Sequence, residues 1–315
     1  MITVLAGGVG GARFLNGLVR VVDPKDITVI VNVGDDLDWL GLRVCPDLDT
    51  ITYTLGGVVN PTNQWGRANE QFTVRDELAR FDHPDWFTLG DRDLALHLHR
   101  TKLLNDGVPL SAATAMITAA FGVEVRLLPA TDQKVETRIV TTDGDDLHFQ
   151  EYWVRDRARA QVANIRLHGA INATPAPGVL DALIHTDAIL FAPSNPVVSI
   201  GTILTIPGIR DAIKRSTAPV IGVSPIINGN VVRGMADRLL PALNTPVTAA
   251  GVATLYEGLV NGWIIDTSDK MLVDTITQTG VTTIATDTVM DTPARAAALA
   301  TRCLELADYV AASPA

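Results

Sequence analysis

The sequence predicts an α/β fold of the Rossmann-like, doubly wound kind: a mainly parallel sheet with an inserted, mostly helical cap region and a β-hairpin. Three observations predict it. A short apolar run at residues 2–6 breaks into glycines and then into helical apolar spacing over 13–22. A β-branched run at 27–33 follows, so residues 2–33 form one βαβ unit, whose crossover is expected to be right-handed. Strand-like runs at 188–192, 219–223 and 262–266 then resume the pattern, with helical stretches near 177–185, 207–215 and 234–243.

Residues 2–6 are apolar except for Thr3, as expected of a strand buried on both faces. Pro24 and Asp26 punctuate the first crossover. Residues 45–57 read as a loop leading into a helix starting near Thr50, with Asp47 or Asp49 as its cap. Three successive helices are expected at 67–80, 91–105 and 111–121. Strands are expected at 123–128, 135–140 and 147–154, the last two closing a hairpin at Asp143-Gly144-Asp145. The Ala-rich stretch 293–311 reads as a helix. These elements divide the chain into a nucleotide-binding core, 1–60 with 171–315, and an inserted cap, 61–170.

With 315 residues, 47% of them hydrophobic, the chain can bury a large core. A formal net charge of −10 argues against a long nucleic-acid partner, because gripping phosphates takes a basic face. The two cysteines, Cys45 and Cys303, offer neither a disulfide framework nor a CxxC metal motif, so a reducing, cytoplasmic setting is expected. No apolar run approaches the roughly 18 residues of a membrane helix. The first residues lack the basic and apolar regions of a secretory leader, and none is expected.

In doubly wound sheets ligands sit at the C-terminal ends of strands. Three unusual loops fall there: 7–11, 34–49 and 193–199. Gly7-Gly8-Val9-Gly10-Gly11 opens a helix, where bare backbone N–H groups and the helix dipole favour a phosphate, and Arg13 adds positive charge. It is not a dinucleotide fingerprint: Arg13 stands where a third glycine is needed, and Asn32-Val33 where an acid is needed. No Gly-Lys-Ser/Thr follows, so it is not a Walker A loop either. Asp35, Asp36, Asp38, Asp47 and Asp49 would repel one another unless solvated or sharing a cation. Mg²⁺ suits such oxygen donors, and one carboxylate could instead accept a hydroxyl proton. Pro193-Ser194-Asn195-Pro196, with Ser199 beyond, presents hydrogen-bonding side chains on a stiff turn, and Ser224-Pro225 repeats the theme one strand later. In Leu89-Gly90-Asp91-Arg92-Asp93, Asp91 reads as a helix cap and Arg92 as a possible phosphate contact. The six histidines form no ligand motif, and His97 and His99, two apart, do not share a helix face. Trp65 or Trp86 could stack on a flat ring.

Together these blocks resemble the CofD/FbiA family of coenzyme F420 biosynthesis, the 2-phospho-L-lactate transferases. The resemblance runs nearly end to end. It rests on Ala6–Arg13, Asn32-Val33-Gly34-Asp35-Asp36, Cys45-Pro46-Asp47-Leu48-Asp49-Thr50, Tyr53–Gly57, Trp65-Gly66, Leu89–Ala95, Phe149–Tyr152, Pro193–Gly201 and Ser224-Pro225-Ile226. It implies a Rossmann-like core with an inserted helical region. It also implies transfer of a phosphate-bearing C3 acid from a guanosine-diphosphate-linked donor to the ribityl hydroxyl of the deazaflavin Fo, with release of GMP and a requirement for Mg²⁺.

By motif position, the resemblance gives Asp49, Thr88 and Asp91 to Fo, and Asp35 with Asp49 to the metal. Gly8, Gly10, Gly11, Arg13, Ser194, Asn195, Ser199 and Ser224 are expected at the nucleotide, and Asp35, Asp49 and Arg92 in catalysis. The 7–13 loop resembles bacterial members, some of which use an enolpyruvyl rather than a lactyl donor, and both donors stay open. A non-catalytic, nucleotide-sugar-binding regulator of the same superfamily is the alternative, which the blocks at 45–50 and 89–95 disfavour. The apolar helices over 91–121 and the C-terminal helix are expected to serve a homodimer.

Overall fold

The computed structural model describes residues 1–312. Seven parallel strands form one sheet: β1 Ile2–Ala6, β2 Ile27–Val31, β3 Arg126–Pro129, β4 Ala188–Phe191, β5 Val220–Val223, β6 Gly262–Asp266 and β7 Thr282–Thr286. Their order is β7-β6-β5-β4-β1-β2-β3. Every residue of β1, β2, β4, β5 and β6 is buried, which is why these strands read as largely apolar runs, interrupted only by Thr3, Thr28 and Asp266, rather than as alternations. The order reverses at β1, which pairs with β2 on one side (Ile2↔Ile27) and β4 on the other (Ile2↔Ala188). Such a switch point leaves a crevice at the carboxyl ends of the central strands.

Helix α1 (Gly8–Leu18) leaves that crevice and packs against α2 (Pro46–Leu55). Helices α3 (Asp91–Asn105) and α4 (Leu110–Ala120) follow, and α5 (Pro293–Ala312) returns to cover α1. Among the described residues no single helix is long and apolar enough to cross a membrane.

Several elements depart from expectation. The strand expected at 123–128 within the cap is β3, the edge of the central sheet beside β2, and α4 packs on it. Residues 110–129 thus belong physically with the core sheet. The expected hairpin forms, Glu136–Thr141 against Asp146–His148, but a third strand, Val162–His168, flanks Glu136–Thr141 on its other side. Residues Glu151–Arg155, expected as strand, form a π-helical turn. The helix expected over 67–80 is only Thr73–Leu78 plus a 3₁₀ turn, because the chain reverses at Asn69 (φ +55°). Residues 234–243 hold a single turn, Ala236–Leu239, before Pro241 starts a 3₁₀ turn. Absent from the expectation were β7 and a small hairpin, Leu37–Trp39 with Leu42–Val44, turning through Leu40 and Gly41, both at positive φ.

Candidate active site

Helix α2 begins at Pro46, four residues earlier than expected, and neither aspartate caps it. Proline is favoured in a helix's first turn because its missing N–H has no intrahelical partner there. Asp47 and Asp49 therefore both lie in the first turn, at the positive end of the helix dipole. Two residues apart on a helix, they point to different neighbours.

Asp49 is neutralised. Arg100, itself buried, engages Asp49 through both guanidinium nitrogens, Nη1 at 3.1 Å from Oδ2 and Nη2 on Oδ1. His97 lies beside them, its Nδ1 3.7 Å from Asp49 Oδ2 and 3.3 Å from Arg100 Nη1. On the other edge of that ring, Nε2 is 3.3 Å from Asp93 Oδ1, which also accepts a 2.6 Å bond from the Tyr53 hydroxyl. Burial works to raise the Asp93 carboxyl, but His97 and Tyr53 outweigh it and hold it below the usual carboxylate range.

Asp35 and Asp47 have no such cation. Asp47 accepts a 2.9 Å bond from Asn32 Nδ2, and Asn32 Oδ1 accepts from the Gly34 backbone. Burial pushes the Asp47 carboxyl up to about 6, against the hydrogen bonds from Asn32 and the Gly8 backbone. Burial, and then the proximity of Asp47, pushes Asp35 well above the usual range. Asp35 Oδ1 is buried with no hydrogen-bond partner. Asp36 is also buried and raised to about 7, although Arg43 Nη2 lies 3.2 Å from its Oδ2. Asp38 is a surface residue bound to Lys134 and Arg43.

The glycine loop is wedged between these acids and the 193–199 turn. A Cβ on Gly7 would lie 2.5 Å from Asp47 Oδ2, and one on Gly10 2.4 Å from the Pro193 carbonyl oxygen. Only glycine allows the loop to sit this close to both. Ser194 Oγ accepts from Gly7 N (3.0 Å) and donates to Gly7 O (2.7 Å), tying the loop to the end of β4. Asn195 Oδ1 accepts from the Val197 and Val198 amides, and Ser224 Oγ bonds within its own turn to Ile226.

These groups meet at one cavity of about 520 Å³ at the switch point. Of the residues expected from sequence, Gly8, Gly10, Arg13, Asp35, Asp49, Thr88, Ser194, Asn195, Ser199 and Ser224 line it. Gly11 does not; its Cα faces Ser194 Oγ and Ala6, so it is a packing glycine. Arg92 is exposed away from the cavity. Asp91 also lies outside it, and its carboxylate accepts from the Thr73 and Val74 amides, capping the neighbouring helix rather than its own. The start of α3 is held by Glu70, which accepts from the Arg92 and Asp93 amides at 2.8 Å each. Arg100 bonds both oxygens of Asp49, whereas Asp35 and Asp47 have no basic partner among the described residues.

Sequence reasoning missed Asn32, Asp93, His97, Arg100 and Arg233. The Asp93–His97–Arg100 spacing, i, i+4, i+7 on one face of α3, could have revealed those three; Asn32 and Arg233 carry no comparable signal. Aromatic side chains of Trp65, Phe87 and Trp153 complete the cap side of the cavity, with Trp65 49% exposed. Among the described residues no group of three or more acidic, His or Cys side chains is arranged to hold a metal unaided.

The fold and the site define a doubly wound α/β protein whose ligand cavity lies at the topological switch point between core and cap. More specifically, the family model described as 2-phospho-L-lactate transferase CofD matches residues 2–304, and the chain belongs to that family of transferases. It is 51% identical to the phosphoenolpyruvate transferase of Streptomyces griseus, with 99% of each chain covered. It is 50% identical to that of Thermobifida fusca, with 97% of each covered. Among solved structures, a UPF0052-family protein from Bacillus halodurans matches with a TM-score of 0.64 at 18% identity, covering 96% of this chain and 98% of that one, which shows the shared fold.

Proposed function

We propose that this transferase moves a phosphoenolpyruvyl group from a guanosine-diphosphate-linked donor to the ribityl hydroxyl of Fo, releasing GMP, a step of F420 biosynthesis and a substituted-phosphate group transfer. The family supports the phospholactyl or phosphoenolpyruvyl chemistry. The names of the relatives at about 50% identity favour the enolpyruvyl donor. The observation that carries the reading is the composition of this cavity: a glycine turn at a helix N-terminus, an unneutralised carboxylate pair and the aromatic side chains of Trp65, Phe87 and Trp153.

In this reading the 7–10 turn and the Ser194–Ser199 segment hold the nucleotide, whose phosphates meet the N-terminus of α1. The aromatic wall of Trp65, Phe87 and Trp153 stacks the deazaflavin. Asp49, kept in place by Arg100, accepts a hydrogen bond from the attacking hydroxyl and orients it. The hydroxyl oxygen forms a bond to the phosphorus bearing the acid, the bridging P–O bond to GMP breaks, and the hydroxyl proton passes to a carboxylate of the wall. Asp35 and Asp47 are the residues that would hold Mg²⁺; the buried, unpartnered Asp35 oxygen fits such an ion. When bound it supplies charge neutralisation for the phosphoryl oxygens. Mg²⁺ commonly uses only one or two protein carboxylates, completing its shell with water and phosphate oxygens.

The buried, unpaired Cys45 and Cys303 support a cytoplasmic setting, and the exposed Leu98 and Met116 on α3 and α4 support a homodimer, which light scattering tests. The central test is turnover with Fo and each candidate donor, with products identified by mass. Formation of an enolpyruvyl-phospho-Fo product with Mg²⁺ present is expected. Fo binding without turnover of either donor would overturn the reading, and absence of Fo binding would move the chain to the regulatory branch.

A further inference from the structure

Two basic residues stand among those lining the cavity, Arg13 on α1 and Arg233 on the loop beyond the Ile226–Val231 hairpin. They arrive from opposite ends of the chain, yet Arg13 is close enough to act on Arg233. Burial first, and then the positive charge of Arg13, hold the Arg233 guanidinium below its usual range. Neither is paired with a carboxylate among the described residues, whereas Arg43, Arg100 and Arg138 all are. Arg233 makes one bond, Nη2 to the Asn63 carbonyl oxygen at 2.6 Å. That carbonyl belongs to the turn of residues 60–66, which carries Trp65 into the cavity, so Arg233 joins the nucleotide half of the chain to the cap.

Two guanidinium groups lining one cavity without a carboxylate partner repel. An anion between them reverses the sign, and the planar fork of Arg suits the paired oxygens of a phosphate or carboxylate. Four carboxylates, Asp35, Asp47, Asp49 and Asp93, line the same cavity, so it holds both the two guanidinium groups and a set of acids.

We propose that Arg13 and Arg233 form a two-arginine clamp for the anionic part of the donor, and that Arg233 fastens the Trp65 turn over the bound molecule. This rests on the proposed reaction and names the residues that would grip its donor. The gripped group is an oxyanion, either the diphosphate or the carboxylate of the acid. The Arg233 bond to Asn63 couples donor capture to the position of the aromatic wall.

The test is calorimetric titration of the full-length protein with inorganic pyrophosphate, GDP, guanosine and the complete guanosine-diphosphate-linked acid. Wild type is set beside Arg13→Gln, Arg233→Gln and Arg233→Lys. GDP affinity is expected to fall at least tenfold in each Gln variant and less in Arg233→Lys, which keeps the charge but not the fork. Guanosine binding is expected to stay within twofold, and Fo binding, followed by its own fluorescence, to change less than donor binding. A tenfold loss confined to the complete donor would identify the carboxylate as the gripped group; a loss shared by GDP and pyrophosphate would identify the diphosphate. The clamp is overturned if neither GDP nor the complete donor weakens more than twofold in the Gln variants, or if the wild-type protein binds neither. Should Arg233→Gln fail to fold, Arg13→Gln and Arg233→Lys decide the matter. Wild-type GDP binding that the variants lose, without any transfer to Fo, would leave the clamp standing and remove the proposed reaction.

Discussion

The first turn of α2 carries two aspartates in opposite electrostatic circumstances. Both are buried and both sit at the positive end of the helix dipole. Asp49 faces α3 and finds a buried arginine holding both of its oxygens. Asp47 faces the glycine loop and finds Asn32 and a second raised carboxyl, Asp35. Burial alone therefore does not decide a carboxylate's state; the partner delivered by the fold does. One region is complete within the chain, its carboxylates partnered by Arg100, His97 and Tyr53. The other is left short of positive charge, with a buried oxygen unpartnered, and its shortage is what a ligand or cation would meet.

This contrast can be broken experimentally. The largest effect is expected for Arg100→Met, which strands the buried Asp49 charge. Removing one partner of a buried pair costs about 3–5 kcal/mol. Urea unfolding reads this directly, and a midpoint equal to wild type would mean that Asp49 does not depend on Arg100. On the other side, Asp35→Asn and Asp47→Asn are expected to lower transfer by about 10²–10³-fold, the range for removing one transition-state charge contact. Both variants should nonetheless be at least as stable as wild type, since each removes a repelling buried carboxylate. Loss of activity accompanied by a large loss of stability would contradict this.

A third effect appears with pH. The folded-state value of Asp47, about 6, lies above its ordinary value of 3.8. Between these the native protein binds more protons than the unfolded one. The Asp47 contribution to stability is therefore full below about pH 4 and declines as pH rises through about 6. The decline is about 2–3 kcal/mol. Melting curves of wild type and Asp47→Asn should diverge over that window, with wild type losing ground as pH rises; parallel curves would refute it. Mg²⁺ added above pH 6 should return part of the loss to wild type and little to Asp47→Asn. The smallest effect is expected for Glu70→Ala, which removes the acceptor of two amides at the start of α3. A lost cap costs about 1 kcal/mol, with no change in the pH profile of transfer.

Most of the central sheet was legible in the sequence because five of its seven strands are buried on both faces and so are largely apolar. β3 was harder to place. Arg126 is exposed at its start, and the strand follows helices rather than a visible βαβ alternation. The glycine loop, Asp35 and the 193–199 turn were legible as strand-end loops. Arg100 and His97 were not, because on sequence they read as ordinary members of a charged helix, and their meaning appears only when α3 lies against α2. The helix start suggested a cap at Asp91 and a phosphate contact at Arg92, and the family resemblance added an Fo contact for Asp91 and a catalytic role for Arg92. The structure instead gives the cavity Asp93, one residue further round the helix, and uses Asp91 to terminate a neighbour. Arg233 carried no local signal at all: its meaning depends on Arg13, 220 positions earlier in the chain.

The pairing of β1 with β4 has a consequence for how the molecule is made. Ile2 aligns with Ala188, the Thr3 hydroxyl donates to the Ala182 carbonyl, and the first residue's carbonyl accepts from Thr186 and Asp187. The first strand is synthesised early and must wait for most of the chain before one of its two edges is covered. Non-local pairings of this kind slow folding, because the chain between the partners must be ordered before their contact is rewarded. The glycine loop receives Ser194 at the same late moment, so a growing chain cannot shape its ligand cavity piecemeal. Until β4 is made, β1 presents an edge of unpaired backbone N–H and C=O groups, the kind of edge on which another chain can pair.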